Sequence, residues 1–320
     1  PSFPICEPFR PARLRGKARP GFVHLAVERW ISKGLEPQSM GSLWSALRAP
    51  FRFLEGNKPR VTLLPLSGPI MAGASLGRGL SANGIEEPLK KAFKDKSAKA
   101  VVLAINSPGG APTQARMIME RVRHLARETQ LPVISYIEDV GASGGYMIAI
   151  AGEEIWADPF AIVGSIGVVS SGFGFHEAIE KVGIERRVYQ AGTNKVRLDP
   201  FRPQREEDSE KLEKILSETH TLFIDMVKSR RGDKLTGPEE SLYSGDFFLA
   251  SEAHGLGLID EVGDLRAMLK DRFGQDVQIR PISTKKGGLL SLLGSRLASA
   301  MVDGVIARLS DAHLRSRLGR

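Results

Sequence analysis

Ser143 lies in the run Gly141-Ala142-Ser143-Gly144-Gly145, a Gly-x-Ser-x-Gly spacing. Small neighbours on both sides would let a carbonyl carbon reach the hydroxyl. Backbone N–H groups at the start of a following helix could then stabilise the negative charge that attack places on the carbonyl oxygen. A serine in a glycine-rich strand-to-helix turn is also simply a good helix cap. Upstream, the apolar stretch "VVLAINSPGG" ends in a second cluster of small residues, Gly109 and Gly110. Two such shelves suit a site where backbone must come close to a bound group.

A serine hydroxyl is a weak nucleophile and needs a base. The chain has six histidines: His24, His124, His176, His220, His254 and His313. His124 and His220 fall inside amphipathic stretches and read as packing or surface residues, while His24 and His313 lie near the ends. His176 and His254 remain, and Asp246 is an acid that could orient His254. The other candidate is Lys195 in "VYQAGTNKVRLDPF", where a strand is expected to end in a polar turn. A lysine acts as base only when neutral, which burial or nearby positive charge promotes by lowering its pKa from about 10.4. Ser-Lys pairs obey the same logic as the Ser-His-Asp triad. On residue types alone, a histidine base, a lysine base and a plain surface lysine all stay open.

The elements that would carry these residues follow from periodicity. Val61–Leu66, "AVVLAIN" and "LPVISYI" are β-type runs, the last leading into the serine shelf. "GIEEPLKKAFKD", "APTQARMIMERVRHLARETQ" and "GGYMIAIAG" read as helices, the second with Met117, Met119, Val122 and Leu125 among its apolar positions. Strand-helix alternation of this kind predicts a parallel or mixed sheet covered by helices. Beyond Lys195, "REEDSEKLEKILSETHTLFIDMVKSRRG" has a 3.6-residue apolar period through Leu212, Ile215, Leu216, Leu222, Phe223 and Met226. "FLASEAHGLGLIDEVGD" then fits a turn, a short helix and a strand.

Charge is unevenly spread. The whole chain carries a formal +8, but the basic excess sits in the first sixty and last thirty-six residues, and the body between them is slightly acidic. That argues against a nucleic-acid groove in the body and for ends that meet an anionic surface. Residues 1–58 are expected to be an extension, with 1–39 rich in Pro and Arg, disordered or upstream of a true start at Met40, and 40–58 amphipathic. Residues 285–320 are expected to form a basic amphipathic helix. Several such helices could hold an oligomer peripherally on an anionic membrane. One cysteine, Cys6, allows no intrachain disulfide and favours a reducing, cytoplasmic setting.

Four ordered stretches, "INSPGG", "EDVGASGGYMIAIAGEEIWADPFAIVGSIGVV", "YQAGTNKVRLDPF" and "ASEAHGLGLIDEVGD", resemble the S49 peptidases, the protease IV or signal peptide peptidase A family, in its short SohB-like form. The similarity runs from about Val61 to Asp264. It implies an α/β fold of ClpP/crotonase type, a spiral of ββα units, with a peptidase domain over 59–284. It also implies a Ser-Lys dyad, with Ser143 as nucleophile and Lys195 as general base. Gly110 and Gly144 would then donate N–H groups to the oxyanion, and Gly109, Gly141, Gly164 and Ser165 would line the substrate groove. Ser165 would fix the lysine ammonium or the substrate backbone. No metal and no cofactor is implied. The family usually carries a membrane anchor, but no run here has about 18 consecutive apolar residues. A single domain copy implies a homo-oligomeric ring in which the lysine of one subunit reaches the serine of the next. Substrates would be peptides, such as signal-peptide remnants or unfolded segments. Two other readings stand beside it: an idle scaffold of the same fold, and an esterase of α/β-hydrolase type using Ser143, Asp246 and His254.

Overall fold

The computed structural model describes residues 58–74 and 79–282. The expected disordered and amphipathic segments, 1–39, all but the last residue of 40–58, and 285–320, lie outside the described residues. The sheet is built on three parallel strands: β1 (Arg60–Ser67), β2 (Ala98–Ser107) and β3 (Val133–Ala142). Each is an apolar run because both faces are covered. Leu64, Leu66, Leu103, Ile105 and Ile137 pack to one side, in the cluster that holds α1 (Ala82–Lys94), α2 (Pro112–Thr129) and α3 (Gly144–Ala149). Val61, Ala100, Val102, Ile134 and Tyr136 face the other way, toward Met268 and Leu269 of α8 (Leu265–Phe273). Ser81 caps α1 by accepting from the Gly84 amide, and Pro at the first turn of α2 needs no N–H partner there.

β3 serves two neighbours in succession. Ile134–Ile137 pair with β4 (Glu154–Ala157), and Val140–Ala142 pair with β5 (Ile162–Gly164). Between these halves the register against β2 slips, from Ile105 opposite Ile137 to Ser107 opposite Gly141. The additional β3 residues form a bulge, and a bulge bends and twists its strand. The bend turns the last residues of β3 toward β5 and delivers Ser143. The sheet order is β6-β5-β3-β2-β1-β8, with β6 (Phe247–Leu249) antiparallel to β5 and β8 (Gln278–Pro281) parallel to β1. β7 (Glu261–Val262) extends the β4 branch.

After β5 the chain leaves the core as an arm over residues 167–205, with one short helix, α4 (His176–Lys181). Phe173, Phe175 and Phe201 gather along it, with ring centroids 6.0 and 5.6 Å apart and the Arg186 guanidinium 5.8 Å from the Phe201 ring. Val169, Val182, Ile184 and Tyr189 are exposed. The strand expected before Lys195 is absent: residues 182–190 are irregular, because no strand among the described residues lies beside them to accept a ladder. The strand β5 stops at Gly164, and Ser165 and Ile166 follow it as irregular chain. The chain returns in α5 (Glu206–Arg231). Its apolar period is real, but only part of it is used. Phe223 and Val227 are buried, whereas Ile215 and Leu222 stay exposed. Met117 on α2 is likewise exposed, while Met119, Val122 and Leu125 are buried as expected. α6 (Glu239–Leu242) and α7 (Ala250–Gly255) complete the described helices.

Candidate active site

Ser143 joins β3 to α3 with φ 51° and ψ −121°. A non-glycine residue held at positive φ costs about 1–3 kcal/mol and persists only where its surroundings over-determine it. Here the Ser143 amide donates to the Gly164 carbonyl at 2.8 Å, and its own carbonyl accepts from Met147 at 3.0 Å. The side chain makes no capping bond, so the hydroxyl is not used to finish the helix. The plain cap reading of this serine is therefore set aside.

The second shelf lies directly across. A Cβ on Gly109 would sit 2.7 Å from the Gly144 nitrogen and 2.8 Å from the Ser143 Cβ, so only glycine allows the two shelves to approach. Gly110 runs beside Ile70, whose amide donates to the Gly109 carbonyl and whose carbonyl accepts from Ala111, each at 2.8 Å. In a parallel bridge of this pattern, the intervening residue turns its own N–H away from the partner. The Gly110 N–H thus faces the Gly144 side, where a Cβ on Gly144 would lie 3.4 Å from it. Gly144 opens α3, and its N–H has no intrahelical acceptor. The Gly110 and Gly144 amides thus lie on facing shelves next to Ser143. The Ser143 amide is not a third, being engaged by Gly164.

The remaining expected residues divide. Gly164 (φ 104°) and Ser165 (φ 50°) form a turn beside Ser143, with the Ser165 amide donating to the Asp246 carbonyl at 2.6 Å. At Gly141 a Cβ would meet the Ile137 side chain at 2.7 Å, so the missing side chain makes room for the core under the bulge. Lys195 is exposed in the turn of the arm, its amide bonded to the Gly192 carbonyl at 3.2 Å. Among the described residues no hydrogen bond joins it to Ser143. None joins Ser143, Asp246 and His254 either; His254 is exposed on α7, and Asp246 meets the site through its backbone carbonyl. One residue at the site was passed over as packing. His220 of α5 brings Nε2 to 2.9 Å from the Ile166 carbonyl, at the turn beside the serine. Helical spacing could place His220 on the inner face but not say what it would meet.

Residues 125–278 match the model of peptidase family S49. A Brucella abortus protein named as a Na(+)/H(+) antiporter is 49% identical over 270 residues, which are 84% of this chain and 35% of that protein. A putative protease of Methanocaldococcus jannaschii is 35% identical over 181 residues, 55% of this chain and 56% of that one. The chain thus spans about a third of the first relative's length and just over half of the second's. Among solved structures, a mutant of a membrane-bound stomatin-specific protease matches with a TM-score of 0.45 and 18% identity, covering 71% of this chain and 98% of that one.

Proposed function

We propose that this chain, a member of peptidase family S49, is a serine endopeptidase in which Ser143 is the nucleophile and Lys195, supplied by a neighbouring copy, is the general base. The observation that carries the reading is the pair of facing shelves, with the Gly110 and Gly144 N–H groups left free beside a strained serine whose hydroxyl caps nothing. That arrangement fits a developing oxyanion better than a ground-state carbonyl.

In this mechanism, neutral Lys195 Nζ takes the proton from Ser143 Oγ as the oxygen attacks the scissile carbonyl carbon. The carbonyl oxygen becomes an oxyanion between the two N–H groups. The lysine then passes its proton to the departing amine, and water repeats the sequence on the acyl-enzyme. An exposed lysine is a poor base because it is charged. The arm's position outside the core supports a base delivered between copies. The exposed apolar side chains along that arm support the same idea, since they need a cover that the described residues do not provide.

Substrates in this reading are extended peptides, such as signal-peptide remnants or unfolded segments. The antiporter name of the Brucella relatives describes proteins about three times the matched length and is not carried over. Among the described residues no helix is long and apolar enough to cross a membrane.

Casein or a hydrophobic peptide is the substrate for the test. Ser143→Ala and Lys195→Ala should each lose peptidase activity, and His254→Ala should keep most of it. Mixing the two inactive proteins under conditions of subunit exchange should restore a fraction. An inactive His254→Ala beside an active Lys195→Ala would return the hydrolase reading, and no recovery after verified exchange would place both groups in one subunit.

A further inference from the structure

The Gly164–Gly167 turn is the least ordinary backbone near the serine after Ser143 itself. Two consecutive residues have positive φ, the Gly167 amide folds back on the Ser165 carbonyl at 2.9 Å, and a Cβ on Gly167 would lie 2.8 Å from the Gly245 Cα. Such a turn must be held from outside. Three bonds do so: Ser143 N–H to the Gly164 carbonyl, Ser165 N–H to the Asp246 carbonyl, and His220 Nε2 to the Ile166 carbonyl. The first two are backbone pairs. The third is a side chain reaching from α5, a separate element, and it is the one a substitution can remove.

We propose that His220 is a positioning residue for peptide binding, its Nε2–H fixing the Ile166 carbonyl and with it the turn that borders Ser143. A carbonyl can only accept, so the imidazole must carry its proton on Nε2 here. The Ile166 side chain is fully buried, which anchors one side of the turn in the core. Its carbonyl needs a donor, and with His220 removed the turn keeps that anchor but loses the bond that sets the orientation of the Ile166–Gly167 peptide plane. Ser165, half-buried at φ 50°, then has no fixed placement against an extended substrate. The nucleophile and the two oxyanion donors stand on other elements, β3, α3 and the stretch after β2, and keep their geometry.

The inference rests on the peptidase reading, and the experiment separates the two. The wild-type chain, Ser143→Ala, His220→Leu, His220→Asn and His220→Gln are compared for KM and kcat on an extended peptide. Ser143 labelling by a small fluorophosphonate and the melting temperature are read alongside. Glutamine can bring an amide N–H near the place of Nε2; asparagine is too short. Losing one net hydrogen bond predicts a KM raised about five- to ten-fold in His220→Leu and His220→Asn, with kcat within about two-fold. Labelling should continue at the wild-type rate, and His220→Gln should recover most of the lost affinity. An unchanged KM in His220→Asn would overturn the assignment, as would equal impairment of Asn and Gln variants in proportion to a lowered melting temperature. Should His220→Leu fail to fold, the Asn and Gln pair decides the matter alone. Undiminished activity of Ser143→Ala would instead sink the peptidase reading.

Discussion

At the scale of single residues, the site depends on side chains that are missing. Gly109 and Gly73 both have positive φ, 97° and 74°, so alanine strains the backbone at either. They differ in surroundings. A Cβ at Gly73 meets nothing within 4 Å, while one at Gly109 lands between the Ser143 Cβ and the Gly144 nitrogen. Gly109→Ala should therefore cut peptidase activity by about a hundred-fold or more, the scale of losing one oxyanion donor, and Gly73→Ala should leave it near wild type. Both should cost about 1–3 kcal/mol of stability, so thermal melts distinguish the chemical effect from the common strain. Equal activity in the two variants would mean that the shelves do not form the oxyanion site. The spacing around Ser143 and the Gly109-Gly110 pair were legible in the sequence because glycine advertises close approach. Gly141 looks like the others in the sequence, and only the bulge in β3 turns its open side toward Ile137.

Among the elements, legibility follows local period. β1 to β3 and α1, α2 and α5 each repeat a pattern long enough to declare itself. The division of β3 between β4 and β5 has no such signature, since a register slip is a relation between strands far apart in sequence. β6 has only three residues and β8 contains Pro281, so neither could be read alone. The absent strand before Lys195 is the opposite case, suitable residues without a partner edge. Packing of α5 onto the sheet hides another relation. Arg231 is buried at 4% exposure, donating to the Gly257 carbonyl at 2.7 and 3.0 Å and to Asp260 at 2.8 Å. Asp260 also accepts from Lys234 and from the Ile155 amide. Burial pushes the Asp260 carboxyl up, but the hydrogen bonds from Arg231, Lys234 and Ile155 outweigh it and hold the carboxyl below its usual range. A carboxyl lowered on folding stabilises the protein above its unfolded pKa, and that contribution is lost as pH falls through the folded value. Urea unfolding across about pH 5 to 3 should thus show stability falling with acid in wild type, with a shallower slope in Asp260→Asn. An identical slope would show that Asp260 is not linked to folding. Arg231→Ala, which removes one of the donors to Asp260 and both guanidinium bonds to the Gly257 carbonyl, should cost about 1–3 kcal/mol at neutral pH.

For the molecule as a whole, the arm is where the described residues leave the most apolar surface uncovered. Val182, Ile184 and Tyr189 are 68%, 58% and 93% exposed, so replacing them cannot hollow out this chain's core. Ile184→Asp and Tyr189→Asp should change monomer stability by no more than about 0.5 kcal/mol, yet lower the mass seen by light scattering and the activity together. Retained mass with retained activity would make the arm a free surface. A different consequence comes from the pairing of β8 with β1, which sets Arg60 beside Gln278. The first strand of the described sheet waits for the last one. During synthesis, β1, β2 and β3 can assemble with their helices long before Gln278 is translated, because their crossovers are short, while the β1 edge stays bare until nearly the whole described chain has emerged. A ribosome that stalls in that interval releases a chain with a built centre and an open row of backbone donors and acceptors along Arg60–Leu63, ready to pair with another such chain. The four residues of β8, nearly silent in the sequence, are the guard against that aggregate.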